Sequence, residues 1–240
     1  MKRSEINRAI RAAEALMADM RVTLPPFCRF TPQDWLVKGS EYDEVRACLL
    51  GWHVTDFSSG DFARTGLVSV SLRGGAPGNR KKDGRLYTEK LLCLQPGQST
   101  PLHYHEAKTE DLVNRCGGVL RIRVFNVRPD GAPDEASDVL VHMDGRSCLV
   151  RAGSAVSLRP GMGLSIRPRV AHALDTDKFG GAVLIGEISQ FNDDRTDNFF
   201  IPPLPGDPNA PAEEDEPPYR LLSREYPEPA PKRRRAGGPA

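Results

Sequence analysis

The spacing of apolar residues divides the chain into a helical start and a long strand-forming middle. Over residues 6–20, apolar side chains recur every three or four positions, which predicts a helix with one apolar face and Ser4 as its N-cap. A second, short helix is expected to begin at Thr31 and Pro32, because Thr caps well and Pro suits the first helical turn. From about Gly51 the period becomes two, which is typical of strands.

The predicted strands are short and are separated by turns rich in Gly and Pro. The clearest strands cover residues 67–72, 86–94, 119–127, 147–150 and 182–189. No helical pattern lies between them, which argues against a parallel α/β sheet, and many short strands of this kind are typical of a sandwich or barrel. We therefore predict an all-β core with N-terminal α-helices.

The composition changes after residue 200, where proline becomes frequent and apolar residues become rare. This composition predicts an extended segment that wraps over the barrel. The expected organisation is a helical segment at 1–50, a barrel at 51–200, a wrapping segment at 201–226 and a flexible basic tail at 227–240.

The charge balance and the cysteines exclude several classes of protein. The chain has 33 Lys and Arg against 32 Asp and Glu, so its net charge of +1 predicts no binding to nucleic acid or to acidic membranes. No apolar run reaches the roughly 18 residues needed to span a bilayer, and the charged start does not resemble a signal peptide, so we expect a cytoplasmic protein. The five cysteines are scattered without a CxxC pair, which indicates reduced thiols.

Three of the five histidines are spaced as ligands of one metal ion. His103 and His105 are two residues apart, so in a strand their imidazoles point to the same face. Glu110 can add a carboxylate after a short turn, and His172 can supply a fourth ligand from a distant segment. A lone histidine is usually a surface or core residue, but this set favours a divalent first-row ion, and the lack of thiolates argues against a structural zinc site.

The spacing resembles the first motif of the cupin superfamily, in which Gly, His-x-His, Glu and Gly follow one another at fixed intervals. Every interval of that motif fits from Gly97 to Gly117. The second motif is imperfect: Pro168 and His172 fit, but residues 169–171 replace the usual Gly, and the usual Asn is missing. The resemblance implies a cupin-type β-barrel, a double-stranded jelly roll, with its metal site at the three histidines and Glu110.

Longer blocks resemble the bacterial D-lyxose isomerases, and the likeness extends from residue 1 to about 226. These blocks include Leu24-Pro25-Pro26-Phe27, Gly51-Trp52-x-Val54-Thr55-x-Phe57, Glu110-Asp111-x-x-Asn114-Arg115, Gly186-Glu187-x-Ser189 and Asn192-Asp193-Asp194-x-x-Asp197-Asn198-x-Phe200. The resemblance implies a Mn²⁺-dependent aldose-ketose isomerase that acts on D-lyxose and on D-mannose.

Such a reaction needs a group that polarises O1 and O2 of the sugar, and a base that moves a proton between C1 and C2. Lys90 shares the strand phase of Leu92 and Leu94, which directs its ammonium into the barrel, where it requires a partner or a role. Glu110 can serve both as a ligand and as a nearby carboxylate. From the family likeness, Glu216 or Glu214 is expected to be the second acid/base.

Substrate contacts are expected from two groups of residues. Asp193, Asp194 and Asn198 follow a strand end, where a rim loop would meet a polyol, although a solvated turn is the alternative. Trp52 and Phe57 can stack on a sugar ring, and core packing is an equally good interpretation.

Two other functions fit the same ligand set. A cupin dioxygenase or oxidase also uses three histidines and one glutamate, and a non-catalytic sugar-binding or storage cupin is a third possibility. The polar residues around the expected site favour the isomerase, because an oxygenase would need an apolar pocket. Exposed strand edges also lead us to expect a homodimer.

Overall fold

Two antiparallel β-sheets form the core of the chain, which the computed structural model describes over residues 1–75, 85–190 and 196–230. The helices are α1 (Arg3–Asp19), α2 (Pro32–Trp35) and α3 (Asp43–Ala47). The strands are β1 (Gly51–Thr55), β2 (Leu67–Gly74), β3 (Tyr87–Leu94), β4 (His103–Tyr104), β5 (Glu110–Gly117), β6 (Leu120–Val127), β7 (Pro133–Asp134), β8 (Val139–Met143), β9 (Arg146–Val150), β10 (Ala155–Leu158), β11 (Gly163–Ile166), β12 (Val170–Thr176), β13 (Val183–Gln190) and β14 (Phe199–Phe200).

The two sheets face each other across an apolar interior. One sheet has eight strands in the order β1-β2-β3-β13-β5-β11-β8-β9, and the other has the order β10-β6-β12-β4-β14, with β7 paired to β6. Leu94 and Leu112 of the first sheet and Ile122 and Leu174 of the second belong to one buried cluster between them. The prediction of an all-β core is confirmed, and the core forms where the apolar side chains of the two sheets pack against each other.

Helix α1 covers the outer face of the eight-stranded sheet. Its residues Ile6, Ile10, Ala13 and Met17 are buried in a second apolar cluster that also contains Trp52. Strand β3 therefore has two buried faces, because Leu91 and Cys93 pack toward α1 whereas Leu92 and Leu94 face the barrel. This arrangement places the even-numbered positions of β3, including Lys90, on the barrel side.

The capping predictions for the helices had different outcomes. Thr31 caps α2 through a capping box with Asp34, as expected. The prediction that Ser4 caps α1 is wrong, since the N-cap is Lys2 and Ser4 already lies in the first turn. The backbone N–H and the hydroxyl of Ser4 instead donate to the carboxylate of Asp215, at 2.8 and 2.7 Å.

The proline-rich segment after residue 200 is extended, as predicted, and it crosses β1 and the helices. Thr55 donates its hydroxyl to the carbonyl of Pro208 at 2.9 Å, and Tyr226 donates to the carbonyl of Leu50 at 2.9 Å.

Over the described ranges, none of the helices has the length and apolar character that a membrane span requires.

Candidate active site

The histidines that the sequence singled out come together between the two sheets. His103 on β4 lies directly opposite His172 on β12, and His105 follows β4. One ring nitrogen of each histidine lies within 4.8 Å of the others. His105 and His172 are only 3% and 2% exposed. The structure thus brings the imidazole of His172 next to those of His103 and His105, which are distant from it in sequence.

Hydrogen bonds to backbone carbonyls set the orientation of all three rings. The Nδ1 atom of His103 lies 3.1 Å from the carbonyl of Pro101, that of His172 lies 3.2 Å from the carbonyl of Val170, and that of His105 lies 2.5 Å from the carbonyl of Asp197. Because a carbonyl only accepts, each Nδ1 carries the proton, and each Nε2 of the neutral ring keeps a lone pair. This arrangement around metal-binding histidines fixes the ligand nitrogen.

Glu110 completes the cluster from the other sheet. Its Oε1 lies 2.8 Å from Nε2 of His172 and 3.6 Å from Nε2 of His105. Nε2 of His105 is buried without a hydrogen-bond partner in the described structure, although its lone pair faces this carboxylate. Lone pairs and a carboxylate that converge in a buried space need a cation, so the donor set fits a divalent ion held by His103, His105, His172 and Glu110.

The protonation states of two of these groups also suit a ligand role. Burial raises the pKa of Glu110, but the ammonium group of Lys108, 2.8 Å away, is the largest of the influences that hold this pKa well below its usual value. Burial lowers the pKa of His103 well below 6.5, and the neighbouring His172 and His105 rings lower it further. Glu110 is therefore anionic and His103 neutral near pH 7, which are the forms that bind a metal ion.

A second buried carboxylate, Glu187 on β13, adjoins the cluster through lysine side chains. Lys108 lies 2.8 Å from Oε2 of Glu110 and 3.3 Å from Oε1 of Glu187. Lys90 lies 3.5 Å from the same oxygen of Glu187, and Ser189 donates its hydroxyl to it at 3.2 Å. Glu187 is 5% exposed. Two carboxylates and two ammonium groups thus form one continuous polar network beside the histidines.

Arg169 is the first of the three residues that replace the usual Gly of the cupin motif, and its backbone takes a conformation that glycine favours. Its φ is +60°, in the left-handed region. Its backbone N–H donates to the carbonyl of His105 at 2.7 Å, and its guanidinium pairs with Glu106. These contacts join the turn after β4 to β12, which explains how the site keeps its shape without the glycine.

The structure places Glu214 and Glu216 against the first turns of α1. Glu214 pairs with the buried guanidinium of Arg3 at 2.5 Å, and Glu216 accepts from the Asn7 amide at 2.6 Å. Together with Asp215 on Ser4, the acidic run binds the N-terminus of a helix, where negative charge is stabilising. Their expected role as acid/base stays a prediction, and Glu187 is the carboxylate that the structure brings to the ligand cluster.

The predicted substrate-binding residues occupy different places. Trp52 is 1% exposed in the core under α1, where its indole N–H donates to the carbonyl of Cys28 at 2.7 Å. Phe57 is also buried, but its ring contacts Phe200, whose ring centroid lies 5.5 Å from that of His103. Asn198 has a buried Oδ1 without a hydrogen-bond partner in the described residues. Asp193 and Asp194 lie outside the described residues.

Comparison with known proteins identifies the family. A family model described as D-lyxose isomerase matches residues 1–226. The chain belongs to the D-lyxose isomerase family. It is 39% identical to a D-lyxose/D-mannose isomerase from Serratia proteamaculans, over 94% of this chain and 98% of that protein. It is 36% identical to a D-lyxose/D-mannose isomerase from Escherichia coli O157:H7, with the same coverage.

Solved structures of sugar isomerases share the fold of this family member. An Acinetobacter sp. DL28 L-ribose isomerase in complex with L-ribose matches with a TM-score of 0.55 and 14% identity, over 84% of this chain and 92% of that chain. A Cellulomonas parahominis L-ribose isomerase with L-psicose matches with a TM-score of 0.54 and 17% identity, over 85% and 94% of the two chains. The cupin-type β-barrel is thereby confirmed, and the chain is a sugar isomerase by family.

Sequence reasoning missed Lys108 and Glu187 as site residues. Val183 and Ile185 are buried between the sheets, and Glu187 lies on the same face of β13. Because side chains alternate in direction along a strand, the sequence could have predicted that this carboxylate points inward. Lys108 lies between the second histidine and Glu110 in a turn, and no periodicity indicates where a side chain in a turn points.

Proposed function

We propose that this protein interconverts D-lyxose and D-xylulose, and D-mannose and D-fructose, with Mn²⁺ or another divalent first-row ion held by His103, His105, Glu110 and His172. The named relatives are D-lyxose/D-mannose isomerases, and both sugars share the arrangement of O2 and O3. A bound divalent ion would polarise the C1 carbonyl and the C2 hydroxyl of an aldose.

The observation that carries the proposal is the second carboxylate beside the ligand cluster. Conversion of an aldose to a ketose moves a proton from C2 to C1 and another from O2 to O1, so it needs a base that is separate from the ligands. Glu187 is buried within hydrogen-bonding or ion-pairing distance of Lys90, Lys108 and Ser189. An oxygen-using cupin has no need of this charged network.

In this proposal Glu187 takes the proton from C2, which leaves an enediolate, and returns it to C1, while the proton of O2 passes to O1. The ammonium groups of Lys108 and Lys90, which lie 3.3 and 3.5 Å from Glu187, would stabilise negative charge on the enediolate oxygens during the transfer. Such charges act more strongly in a buried site than in water. Lys108 contacts both Glu110 and Glu187, so a change in charge at one carboxylate changes the electrostatic potential at the other.

The aromatic pair Phe57 and Phe200 gives the site an apolar side next to His103. We propose that this side contacts the carbon-bound hydrogens of the sugar, while Asn198 and the acidic residues Asp193 and Asp194 contact its hydroxyls. A homodimer and a cytoplasmic location stay predictions from the sequence.

The proposal is tested by assaying metal-stripped protein, with and without Mn²⁺, on a panel of pentoses and hexoses. We expect ketose from D-lyxose and D-mannose with Mn²⁺, little from D-xylose and D-glucose, and no oxygen consumption. In D₂O the product should carry deuterium at C1, because an enediol route exposes the proton to exchange. Oxygen uptake without ketose would instead support the dioxygenase alternative, and equal rates on D-xylose would contradict the proposed specificity.

A further inference from the structure

Asp197 makes an unusual set of contacts with the turn that follows β4. Its Oδ1 accepts the backbone N–H groups of Glu106 and Ala107, at 2.7 and 3.2 Å, and its Oδ2 accepts the backbone N–H of Lys108 at 3.2 Å. Its own carbonyl accepts Nδ1–H of His105 at 2.5 Å. Asp197 is 7% exposed. One residue therefore binds four consecutive residues of another segment.

We infer that Asp197 is a positioning residue that fixes His105 and Lys108 relative to each other; its importance for catalysis rests on the proposed function. The carbonyl of Asp197 fixes the ring of His105, and the carboxylate holds the three amides that follow. Asp197 therefore binds every residue of the turn from His105 to Lys108. The direction of the Lys108 side chain depends on the conformation of this turn.

The physical reason for an acid at this position is the number of donors. Three backbone N–H groups in one turn have no acceptor within the turn itself, and a carboxylate has two oxygens that accept without donating. Hydrogen bonds from N–H groups to a charged acceptor are stronger than those between neutral groups. An apolar side chain at position 197 would leave these amides without that acceptor.

The carboxylate and the carbonyl of Asp197 have separable roles. In Asp197→Asn the remaining oxygen can still accept the N–H groups of Glu106 and Ala107, but the amide NH₂ then faces the N–H of Lys108, which is also a donor. The carbonyl that binds His105 is present in every variant. Asn should therefore preserve the ligand histidine and disturb Lys108, whereas Asp197→Ala should disturb the whole turn.

The test compares Asp197→Asn and Asp197→Ala with matched variants of Asp134. Asp134 also accepts two backbone N–H groups, those of Ala136 and Ser137, but it lies at β7 on the molecular surface. Three quantities are measured for each protein: deuterium exchange of the peptide 103–110 in the metal-stripped state, Mn²⁺ affinity, and kcat and KM on D-lyxose.

For Asp197→Ala we expect faster exchange of the peptide and Mn²⁺ affinity weaker by about 10- to 100-fold, the usual effect of losing support for a ligand. For Asp197→Asn we expect Mn²⁺ affinity changed by less than about tenfold, with kcat lowered by about tenfold or more and KM little changed. The Asp134 variants should match the wild type in all three measurements.

The inference would be overturned if peptide 103–110 exchanged deuterium in Asp197→Ala at the wild-type rate. It would also be overturned if both Asp197 variants had the Mn²⁺ affinity and kcat of the wild type. A lower melting temperature with unchanged kcat below it would also overturn it, because it would show a role in stability alone. If the wild type made no ketose, the proposed function would fail, and the exchange and Mn²⁺ measurements would still decide the role of Asp197. If Asp197→Ala does not fold, deuterium exchange of the Lys108 amide in Asp197→Asn decides the question: faster exchange than in the wild type supports the inference, and equal exchange overturns it.

Discussion

The side chains of Lys108, in the turn before β5, and Glu187, on β13, meet at 3.3 Å inside the barrel. Lys108 also contacts Glu110, so a single ammonium group joins the proposed metal site to a carboxylate that is not one of the four proposed ligands. A buried carboxylate that does not bind the metal ion is the kind of group that C–H proton transfer needs as its base. In the proposed mechanism the two glutamates of this network have different roles: Glu110 is a metal ligand and Glu187 is the base.

Replacement of the proposed base should abolish turnover without loss of the metal. Glu187→Gln keeps the size of the side chain but cannot accept a proton, so we expect kcat to fall by about 10²- to 10⁴-fold with Mn²⁺ content unchanged. Glu216→Gln is the matched control, because Glu216 binds Asn7 on α1, and its kcat should stay close to that of the wild type. A low kcat in Glu216→Gln, together with an unchanged kcat in Glu187→Gln, would instead identify Glu216 as the base. Both kinetics and metal content are measured on the purified proteins.

Lys90 should matter for turnover and not for metal binding. Lys90→Met keeps the length of the side chain but removes the ammonium that lies 3.5 Å from Glu187. Loss of a positioned charge in a buried site should lower kcat by about 10²-fold or more, while Mn²⁺ affinity is retained. An unchanged kcat would remove Lys90 from the mechanism.

Removal of a ligand histidine should remove the ion. We expect His172→Ala to lose both bound Mn²⁺ and activity, because its Nε2 is one of three that converge in the site. His142→Ala provides the control: His142 lies on β8 and contacts Ser147 at 3.2 Å. The Mn²⁺ content per chain is measured for both variants and for the wild type, and His142→Ala should match the wild type. Full metal content in His172→Ala would disprove the ligand assignment.

The low pKa of His103 predicts how the stability of the metal-free protein depends on pH. Below pH 6.5 the unfolded chain binds a proton at His103 that the folded chain does not, since burial holds the folded pKa well below 6.5. The free energy of unfolding should therefore be highest above pH 6.5 and fall as the pH drops toward the folded pKa. One such group contributes a slope of at most about 1.4 kcal/mol per pH unit.

His103→Gln removes this titrating group. Urea unfolding of the metal-stripped wild type and of His103→Gln, measured between about pH 5 and 7.5, should show a shallower pH dependence in the variant. Equal slopes would show that His103 has a similar pKa in the folded and unfolded states.

The left-handed backbone of Arg169 predicts an order of stability for two substitutions. Glycine adopts a φ of +60° without strain, whereas alanine does not, and both lose the ion pair with Glu106. Arg169→Gly should therefore be more stable than Arg169→Ala by about 1 kcal/mol. Chemical denaturation measures the difference. An alanine variant as stable as the glycine variant would contradict the inferred strain.

Much of the fold was predictable from the sequence, because the strands are short and are separated by turns rich in Gly and Pro. The strand predicted at 86–94 is β3 (Tyr87–Leu94), and the phase that directs Lys90 into the barrel follows from Leu92 and Leu94. The ligand cluster was also predictable, since the spacing of His103, His105 and Glu110 is local and His172 follows a recognisable proline.

The partners of the charged residues were not predictable, because those partners are distant in sequence. The acidic run at 214–216 binds the N-terminus of α1, and nothing near the run in sequence indicates a helix end as its partner. Lys108 points toward Glu187 because Asp197, from a later segment, holds its turn. Such contacts depend on the closed barrel and leave no periodic signal along the chain.

The most direct test of the central claim is a titration of the metal-stripped protein with Mn²⁺ while D-xylulose formation from D-lyxose is followed. The account predicts that activity rises in proportion to bound Mn²⁺ and stops rising at about one ion per chain, with no ketose formed before the first addition. Ketose formation by protein free of divalent ions, or fully loaded protein that leaves D-lyxose unchanged, would contradict it.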